Sequence, residues 1–102
     1  MMLKICLVGF GRTGKVVAEE IFKRDDVNLV GIFKKRRDKF IGVDIGKYFG
    51  KGEKGYGIHH ISDLENILKK TNPDMLIDFS HPEAMFYCVD TIASCNLFHE
   101  LY

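Results

Sequence analysis

The chain has 102 residues, of which 46% are hydrophobic and 28% charged, and its formal net charge is +1. This length indicates one domain, and the composition is that of a soluble globular protein. The near-neutral charge argues against a general nucleic-acid binder, and no apolar stretch approaches the roughly 18 residues that span a membrane. We therefore expect one cytoplasmic domain with no nucleic-acid or membrane partner.

The amino-terminal third predicts a βαβ unit. Residues 3–9 are a short apolar run that ends in glycine, which favours a buried strand; a signal peptide would need a small-residue cleavage site. Residues 13–24 have helical spacing, and residues 27–33 form a second apolar strand. The predicted apolar face of the helix contains Val16, Val17, Ala18, Ile21 and Phe22.

The rest of the chain predicts a long loop followed by alternating elements. Residues 34–57 are rich in glycine and charge, with one short helical turn at 44–49. "GIHHI" is a short strand candidate. Ser62 and Glu65 form a capping box for the next helix, which Pro73 ends. Residues 74–80 predict a strand, and a last helix over 81–95 begins near Pro82.

This order of elements predicts the fold class. Strands that alternate with helices favour an α/β, Rossmann-like, doubly wound parallel sheet with helices on both faces. Right-handed crossovers make 3-2-1-4 the expected strand order. The three cysteines, Cys6, Cys88 and Cys95, lie in apolar segments without a Cys-x-x-Cys pair, so we expect buried, reduced thiols.

The segment "GFGRTGKVV" fits two phosphate-binding patterns. An NTPase loop requires Ser or Thr after its lysine to ligate Mg²⁺, but Val16 follows Lys15 and falls on the predicted apolar face. A dinucleotide loop needs only its three glycines. Gly9 permits a sharp turn, Gly11 a close approach to the pyrophosphate, and Gly14 close packing of helix on strand. Lys15 either adds charge to this site or is a solvated helix residue.

The end of the second strand bears on cofactor choice. NAD-specific sites usually place Asp or Glu there, where it bonds the ribose 2′-hydroxyl. This chain instead has "KKRR" at residues 34–37, and no carboxylate occurs before Asp38. Cations suit a 2′-phosphate, so we expect NADP(H) to be preferred over NAD(H). The alternative is a solvated basic loop that contacts no ligand.

Three motifs together carry a resemblance to a known family. "VGFGRTG", "GVDIGKYFG" and "LIDFSHPEAM" resemble the amino-terminal domain of dihydrodipicolinate reductase, over about residues 3 to 95. The resemblance implies a Rossmann domain and NAD(P)H-dependent reduction in lysine and diaminopimelate biosynthesis. It also implies these cofactor-binding residues: Gly9, Phe10, Gly11, Arg12, Thr13, Gly14, Lys34, Lys35, Phe79, Ser80 and His81.

The chain departs from that family at its carboxyl end. The family's G-T-T-G loop and the catalytic His and Lys of its second domain have no counterpart in these 102 residues. We therefore expect residues 1–102 to be an NAD(P)-binding domain, truncated relative to the family, that binds cofactor without turnover. The alternatives are a dinucleotide-sensing regulatory module or a remnant of a related dehydrogenase, such as diaminopentanoate dehydrogenase. A bare sheet edge would also favour a homo-oligomer.

Four other titratable residues are candidates for chemistry. His81 follows the fourth strand, where it is either a catalytic acid or a residue that caps the helix or lines the cofactor site. His59 and His60 are adjacent on a strand and point to opposite faces, which is poor geometry for one metal ion. Asp78 is either catalytic or a buried group that bonds backbone N–H groups. We expect no metal site.

Overall fold

The computed structural model describes residues 2–80 and 83–88, and these residues form helices on both faces of one sheet. A 3₁₀ turn, Ile61–Asp63, precedes the third α-helix. The elements are β1 (Leu3–Val8), α1 (Arg12–Phe22), β2 (Val27–Lys34), α2 (Ile45–Tyr48), β3 (Ile58–His60), α3 (Leu64–Thr71), β4 (Met75–Asp78) and β5 (Met85–Cys88).

The sheet has the strand order β3-β2-β1-β4-β5 within the described residues. The first four strands pair in parallel, and β5 pairs antiparallel with β4. The predicted α/β, Rossmann-like class and the predicted order 3-2-1-4 are therefore confirmed. Val8 is in register with Phe33 on one side and with Asp78 on the other. The carboxyl ends of β1, β2 and β4 consequently meet at one edge of the sheet.

Apolar residues form a core on each face of the sheet. Alternation along β1 sends Ile5 and Leu7 to one face and Cys6 and Val8 to the other, as the pleat of a strand requires. The first face also holds Ala18 of α1 together with Phe10, Leu29, Ile32, Ile45, Ile58 and Ile77. The second holds Leu64 and Leu68 of α3 together with Val30, Phe33, Ile61 and Leu76.

A β-bulge interrupts the pairing of β1 with β2. Ile5 is opposite Leu29, but the next residue, Cys6, is opposite Gly31, so Val30 is an extra residue in β2. A Cβ built on Gly31 would lie 3.1 Å from the Cys6 Sγ, which occupies the space that a side chain would need. Burial of this thiol raises its pKa to about 12, against a lesser opposing hydrogen bond with Thr71.

The segment after β4 differs from its prediction. Residues 83–88 were expected to lie in a helix, but Met85–Cys88 is a strand that completes the edge of β4; the remainder of the predicted helix lies outside the described residues. Aromatic residues favour strands, and Tyr87 packs on the α3-side core. Cys88 is exposed, contrary to expectation, while Cys6 is buried as expected. Cys95 lies outside the described residues.

Two predictions about helix details were wrong. Ser62 does not cap α3, because the 3₁₀ turn places Asp63 at the N-cap and the Ser62 N–H bonds His60 Nδ1 at 3.1 Å. Val16 is 63% exposed, although it was placed on the apolar face. Helix α1 packs through Gly14 and Ala18, its two buried residues, and position 16 is about 200° around the helix from position 14.

The helices of the described residues are all too short or too polar to cross a membrane.

Candidate functional site

A cavity of about 720 Å³ opens at the carboxyl ends of β1, β2 and β4. In open parallel sheets this edge is where ligands bind. Five of the residues that line it are Lys or Arg, and one is an acid. The complete lining is Gly9, Phe10, Gly11, Lys15, Lys34, Lys35, Arg36, Asp38, Lys39, Phe40 and Ser80.

The three glycines of the first loop have distinct geometric roles. Gly9 has φ +100°, and its N–H donates to the Phe33 carbonyl oxygen at 2.8 Å. A Cβ on Gly14 would lie 2.3 Å from the Gly9 carbonyl oxygen, so helix and loop touch directly. A Cβ on Gly11 would meet no heavy atom of the described residues within 4 Å. Gly11 therefore leaves open space at the start of α1.

Two lysine side chains converge on the rings of Phe10 and Phe40. The Lys15 Nζ is 5.7 Å and 5.4 Å from the two ring centroids. The Lys34 Nζ is 5.6 Å and 5.1 Å from the same centroids. Aromatic faces attract ammonium groups at such distances. Lys39 adds a third ammonium group, 5.4 Å from the Phe40 centroid. The two rings thus gather positive charges from α1, from β2 and from the basic loop at one side of the cavity.

Asp38 is the acidic residue of the cavity, and it pairs with Lys34. The Asp38 Oδ2 accepts a hydrogen bond from the Lys34 Nζ, and the Oδ1 accepts from the Phe40 N–H at 3.0 Å. The bond from Lys34 lowers the pKa of this carboxyl below its ordinary value. The side chain of Lys34 is 8% exposed, so the pair is shielded on the lysine side.

The end of β4 is held by Asp78. This buried carboxylate accepts from the Ser80 N–H at 2.8 Å and from the Ser80 hydroxyl at 2.5 Å. The Phe79 N–H donates to the Val8 carbonyl oxygen at 2.7 Å, which joins this turn to β1. The bond from the Ser80 N–H agrees with the structural alternative for Asp78, a buried group that bonds backbone N–H groups. His81 lies outside the described residues.

His60 holds the start of the basic loop. Its Nδ1 accepts from the Ser62 N–H, so the ring hydrogen is on Nε2, which donates to the Lys35 carbonyl oxygen at 3.1 Å. His59 instead packs on the Phe33 ring, and burial lowers its pKa below 6.5.

No group of three or more His, Cys, Asp or Glu side chains with metal-binding geometry occurs in the part of the chain described.

The motif "GVDIGKYFG" forms a separate capped turn beside the cavity. The Asp44 carboxylate caps α2 and accepts from four backbone N–H groups at 2.7 to 3.2 Å. Desolvation acts to raise the pKa of Asp44, but the N–H donors outweigh it and hold the pKa below its ordinary value. The donors belong to Gly46, Lys47, Lys54 and Gly55.

The structure brings together only part of the predicted site. Gly9, Phe10, Gly11, Lys34, Lys35 and Ser80 line the cavity. Arg12, Thr13, Gly14 and Phe79 are not among its lining residues, although all four adjoin it in sequence.

Sequence reasoning missed two groups that the fold adds to the cavity. Lys39 and Asp38 continue the charged run and were the easier to find. Phe40 depends on packing between α1 and the basic loop, for which the sequence carries no local signal. For Lys15 the sequence left two alternatives open, and the structure places its side chain in the cavity lining.

Comparison of sequences places this chain beside one enzyme family. The family described as "Dihydrodipicolinate reductase, N-terminus" matches residues 3–98. The 4-hydroxy-tetrahydrodipicolinate reductase of Methanocaldococcus jannaschii is 30% identical over 92 residues, which cover 89% of this chain and 32% of that protein. The Methanosarcina mazei enzyme of the same name is 36% identical over 87 residues, covering 85% and 32%. The chain spans about a third of the length of these curated relatives.

Comparison of structures gives the same kind of fold. A Rex-family repressor, RSP, matches with a TM-score of 0.62 and 15% identity, over 98% of this chain and 41% of the repressor. A dipicolinate-bound dihydrodipicolinate reductase from Paenisporosarcina sp. TG-14 matches with a TM-score of 0.54 and 18% identity, over 96% and 33%. At such identities the likeness concerns the fold alone. The sequence match over residues 3–98 establishes that the chain belongs to the dihydrodipicolinate reductase family, in its amino-terminal domain.

Proposed function

We propose that the cavity binds a nicotinamide dinucleotide and that NADP(H) is preferred over NAD(H). The observation that carries this proposal is the geometry of Gly11. Gly11 is the N-cap residue of α1, and the space that a Cβ would occupy there is empty. It also lines the cavity, which is rich in cations. Exposed N–H groups at a helix start, next to a glycine, are suited to a pyrophosphate. The family membership of the chain supports the same ligand class.

The preference for NADP(H) rests on the basic loop. Lys35 and Arg36 are exposed residues that line the cavity just past the end of β2, where a Rossmann domain meets the adenosine ribose. A guanidinium and an ammonium group suit a phosphate monoester, and such charge-assisted bonds are stronger than neutral ones. Lys34 is predicted from the sequence to bind the cofactor as a free cation. In the structure its side chain is buried and already paired with Asp38.

The reaction in which we propose that this domain takes part follows from the names of its curated relatives. They are named 4-hydroxy-tetrahydrodipicolinate reductase, and one structural neighbour is described as a complex with beta-NADH. We propose that this domain holds the hydride donor for reduction of the substrate in that name, 4-hydroxy-tetrahydrodipicolinate. We further propose that residues 1–102 alone bind cofactor without turnover, because reduction also needs an oriented substrate and a proton source.

Calorimetric titration with NADPH, NADH and ATP in parallel tests the proposal. The informative variant is Lys35→Ala/Arg36→Ala, which removes two exposed cations from the cavity without touching the core. We expect NADPH to bind at least about tenfold more weakly and NADH to change little, since a charge-assisted bond contributes about 1.5–3 kcal/mol. Lys47→Ala/Lys51→Ala is the control, because both lysines are exposed and lie outside the cavity lining.

Three results would count against the proposal. Equal losses of NADPH and NADH in the cavity variant would remove the 2′-phosphate assignment. Absence of binding by any dinucleotide would remove the cofactor site itself. Oxidation of NADPH by the 102-residue chain when dihydrodipicolinate is added would place substrate chemistry in this domain.

A further inference from the structure

The pair Lys34–Asp38 gives the proposed cofactor site an unusual charge arrangement. Lys34 is the last residue of β2, and its buried side chain ends between the rings of Phe10 and Phe40. Asp38 reaches the same ammonium group from the following loop. Its second oxygen is held by the Phe40 N–H, so the carboxylate is fixed at both oxygens.

Lys15 and Lys34 therefore differ in what they offer a ligand. Both ammonium groups lie over the same two aromatic rings. Among the described residues, Lys15 forms no ion pair, whereas Lys34 is paired with Asp38. Lys39 also lies over the Phe40 ring, at 5.4 Å, and forms no ion pair among the described residues. A ligand phosphate that enters beside these rings therefore meets two unpaired cations, Lys15 and Lys39, and one cation, Lys34, that already has an anionic partner.

We propose that Asp38 is a specificity-determining residue, acting as an internal competitor with the cofactor 2′-phosphate for Lys34. This inference rests on the proposed NADP(H) site. The phosphate dianion takes the ammonium group from the carboxylate, and the Phe40 N–H keeps Asp38 in the cavity wall. The carboxylate repels the 2′-phosphate of NADPH, whereas the corresponding ribose of NADH carries no phosphate. Asp38 therefore lowers the ratio of NADPH affinity to NADH affinity.

The test compares Asp38→Asn with the unaltered chain by titration with NADPH and NADH. Asparagine keeps an oxygen for the Phe40 N–H and loses the negative charge. We expect NADPH to bind about fivefold more tightly, the scale of one modest ion pair, and NADH to change less than about twofold. Glu53→Gln is the charge-matched control, since Glu53 is exposed and does not line the cavity. It should leave the ratio of the two affinities unchanged.

A second measurement needs no variant. The carboxyl carbon of Asp38 is titrated by NMR in the unaltered chain, alone and with 2′,5′-ADP or 5′-ADP. We expect the Asp38 pKa to rise with 2′,5′-ADP, because Lys34 is lost as a partner and a phosphate is added nearby, and to rise less with 5′-ADP.

The possible failures can be told apart. If the unaltered chain binds neither coenzyme, the cofactor site is wrong and this inference falls with it. If it binds them but Asp38→Asn leaves their affinity ratio unchanged or weakens NADPH, only the role of Asp38 is overturned. An Asp38 pKa that is the same with both adenosine phosphates overturns that role as well.

Discussion

Gly14 of α1 lies against Gly9 of the preceding turn so closely that a Cβ on Gly14 would be 2.3 Å from the Gly9 carbonyl oxygen. The obstructing atom belongs to the backbone, so no side-chain rotation relieves the overlap. We predict that Gly14→Ala destabilises the fold by roughly 3 kcal/mol or more. Urea unfolding followed by circular dichroism measures this, and an unchanged midpoint would contradict it.

Gly11→Ala should leave the stability of the fold unchanged and weaken cofactor binding. The Cβ would enter open space, and the Gly11 φ of −85° suits any residue. We expect the free energy of unfolding to change by less than about 0.5 kcal/mol. Dinucleotide affinity should fall by at least about tenfold, because the Cβ occupies the space where the pyrophosphate approaches the backbone. Unimpaired NADPH binding by a well-folded Gly11→Ala protein would place the phosphates elsewhere.

Mg-ATP should be neither bound tightly nor hydrolysed. The residue after Lys15 is Val16, whose exposed side chain has no oxygen for Mg²⁺. An NTPase loop depends on that hydroxyl ligand. The measurement is phosphate release over hours by protein resolved on gel filtration. Magnesium-dependent release that follows the protein peak would overturn the dinucleotide interpretation of the glycine loop.

Acid should weaken the turn that Asp44 organises. The folded-state pKa of this carboxyl is below its ordinary value of 3.8. Its stabilising contribution is therefore complete above the unfolded-state value and is lost as the pH falls through the folded-state value. We expect Asp44→Asn to lose stability at pH 7 and to show a shallower further loss in acid than the unaltered chain.

The control for this measurement is Asp25→Asn, an exposed aspartate beyond the end of α1. It should reproduce the acid profile of the unaltered chain. Parallel acid profiles for the Asp44 variant and the unaltered chain would mean that the four N–H bonds do not stabilise the charged form.

Self-association should involve the β5 edge. The sequence predicts one bare edge of the sheet. Within the described residues β5 covers β4 and is itself an edge strand, with Phe86 63% exposed. An edge strand with an exposed aromatic residue favours pairing with a second chain. We expect light scattering to show dimers or larger species at high concentration, and Phe86→Ser to reduce them.

Val16→Ser is the matched control for that experiment, because Val16 is exposed to the same fraction on α1. It should leave association unchanged. A monomer at every concentration would contradict an association through β5.

Local patterns were sufficient to predict most of the fold. The apolar run before Gly9 and the apolar run after α1 have few interpretations, and alternation then fixes the sheet class. The helical turn at 44–49 was predicted and appears as Ile45–Tyr48. Where two structures compete for the same short segment, local signals were insufficient. Residues 85–88 are strand because β4 offers them an open edge, and this is a property of the assembled sheet.

The candidate site, like the fold, could be predicted from the sequence only in part. The glycines and the basic run are readable because their chemistry follows from residue type and spacing. Phe40 is separated from Phe10 by a strand, a helix and a loop, so their shared contact with two lysines exists only after folding. A glycine inside a strand often accompanies a bulge, but Gly31 does not tell which side chains the bulge redirects.

The bulge in β2 determines which face of the sheet each later side chain of that strand occupies. Leu29 and Ile32 both lie on the α1 face although they are three residues apart, since Val30 is an extra residue in the pairing. Lys34, two residues after Ile32, is thereby turned to the α1 face as well, toward Phe10 and Phe40. Had the strand kept strict alternation from Leu29, position 34 would project toward α3. The bulge thus decides on which side of the sheet the buried ammonium group stands, because the same residues paired without a bulge would carry that charge into an apolar core.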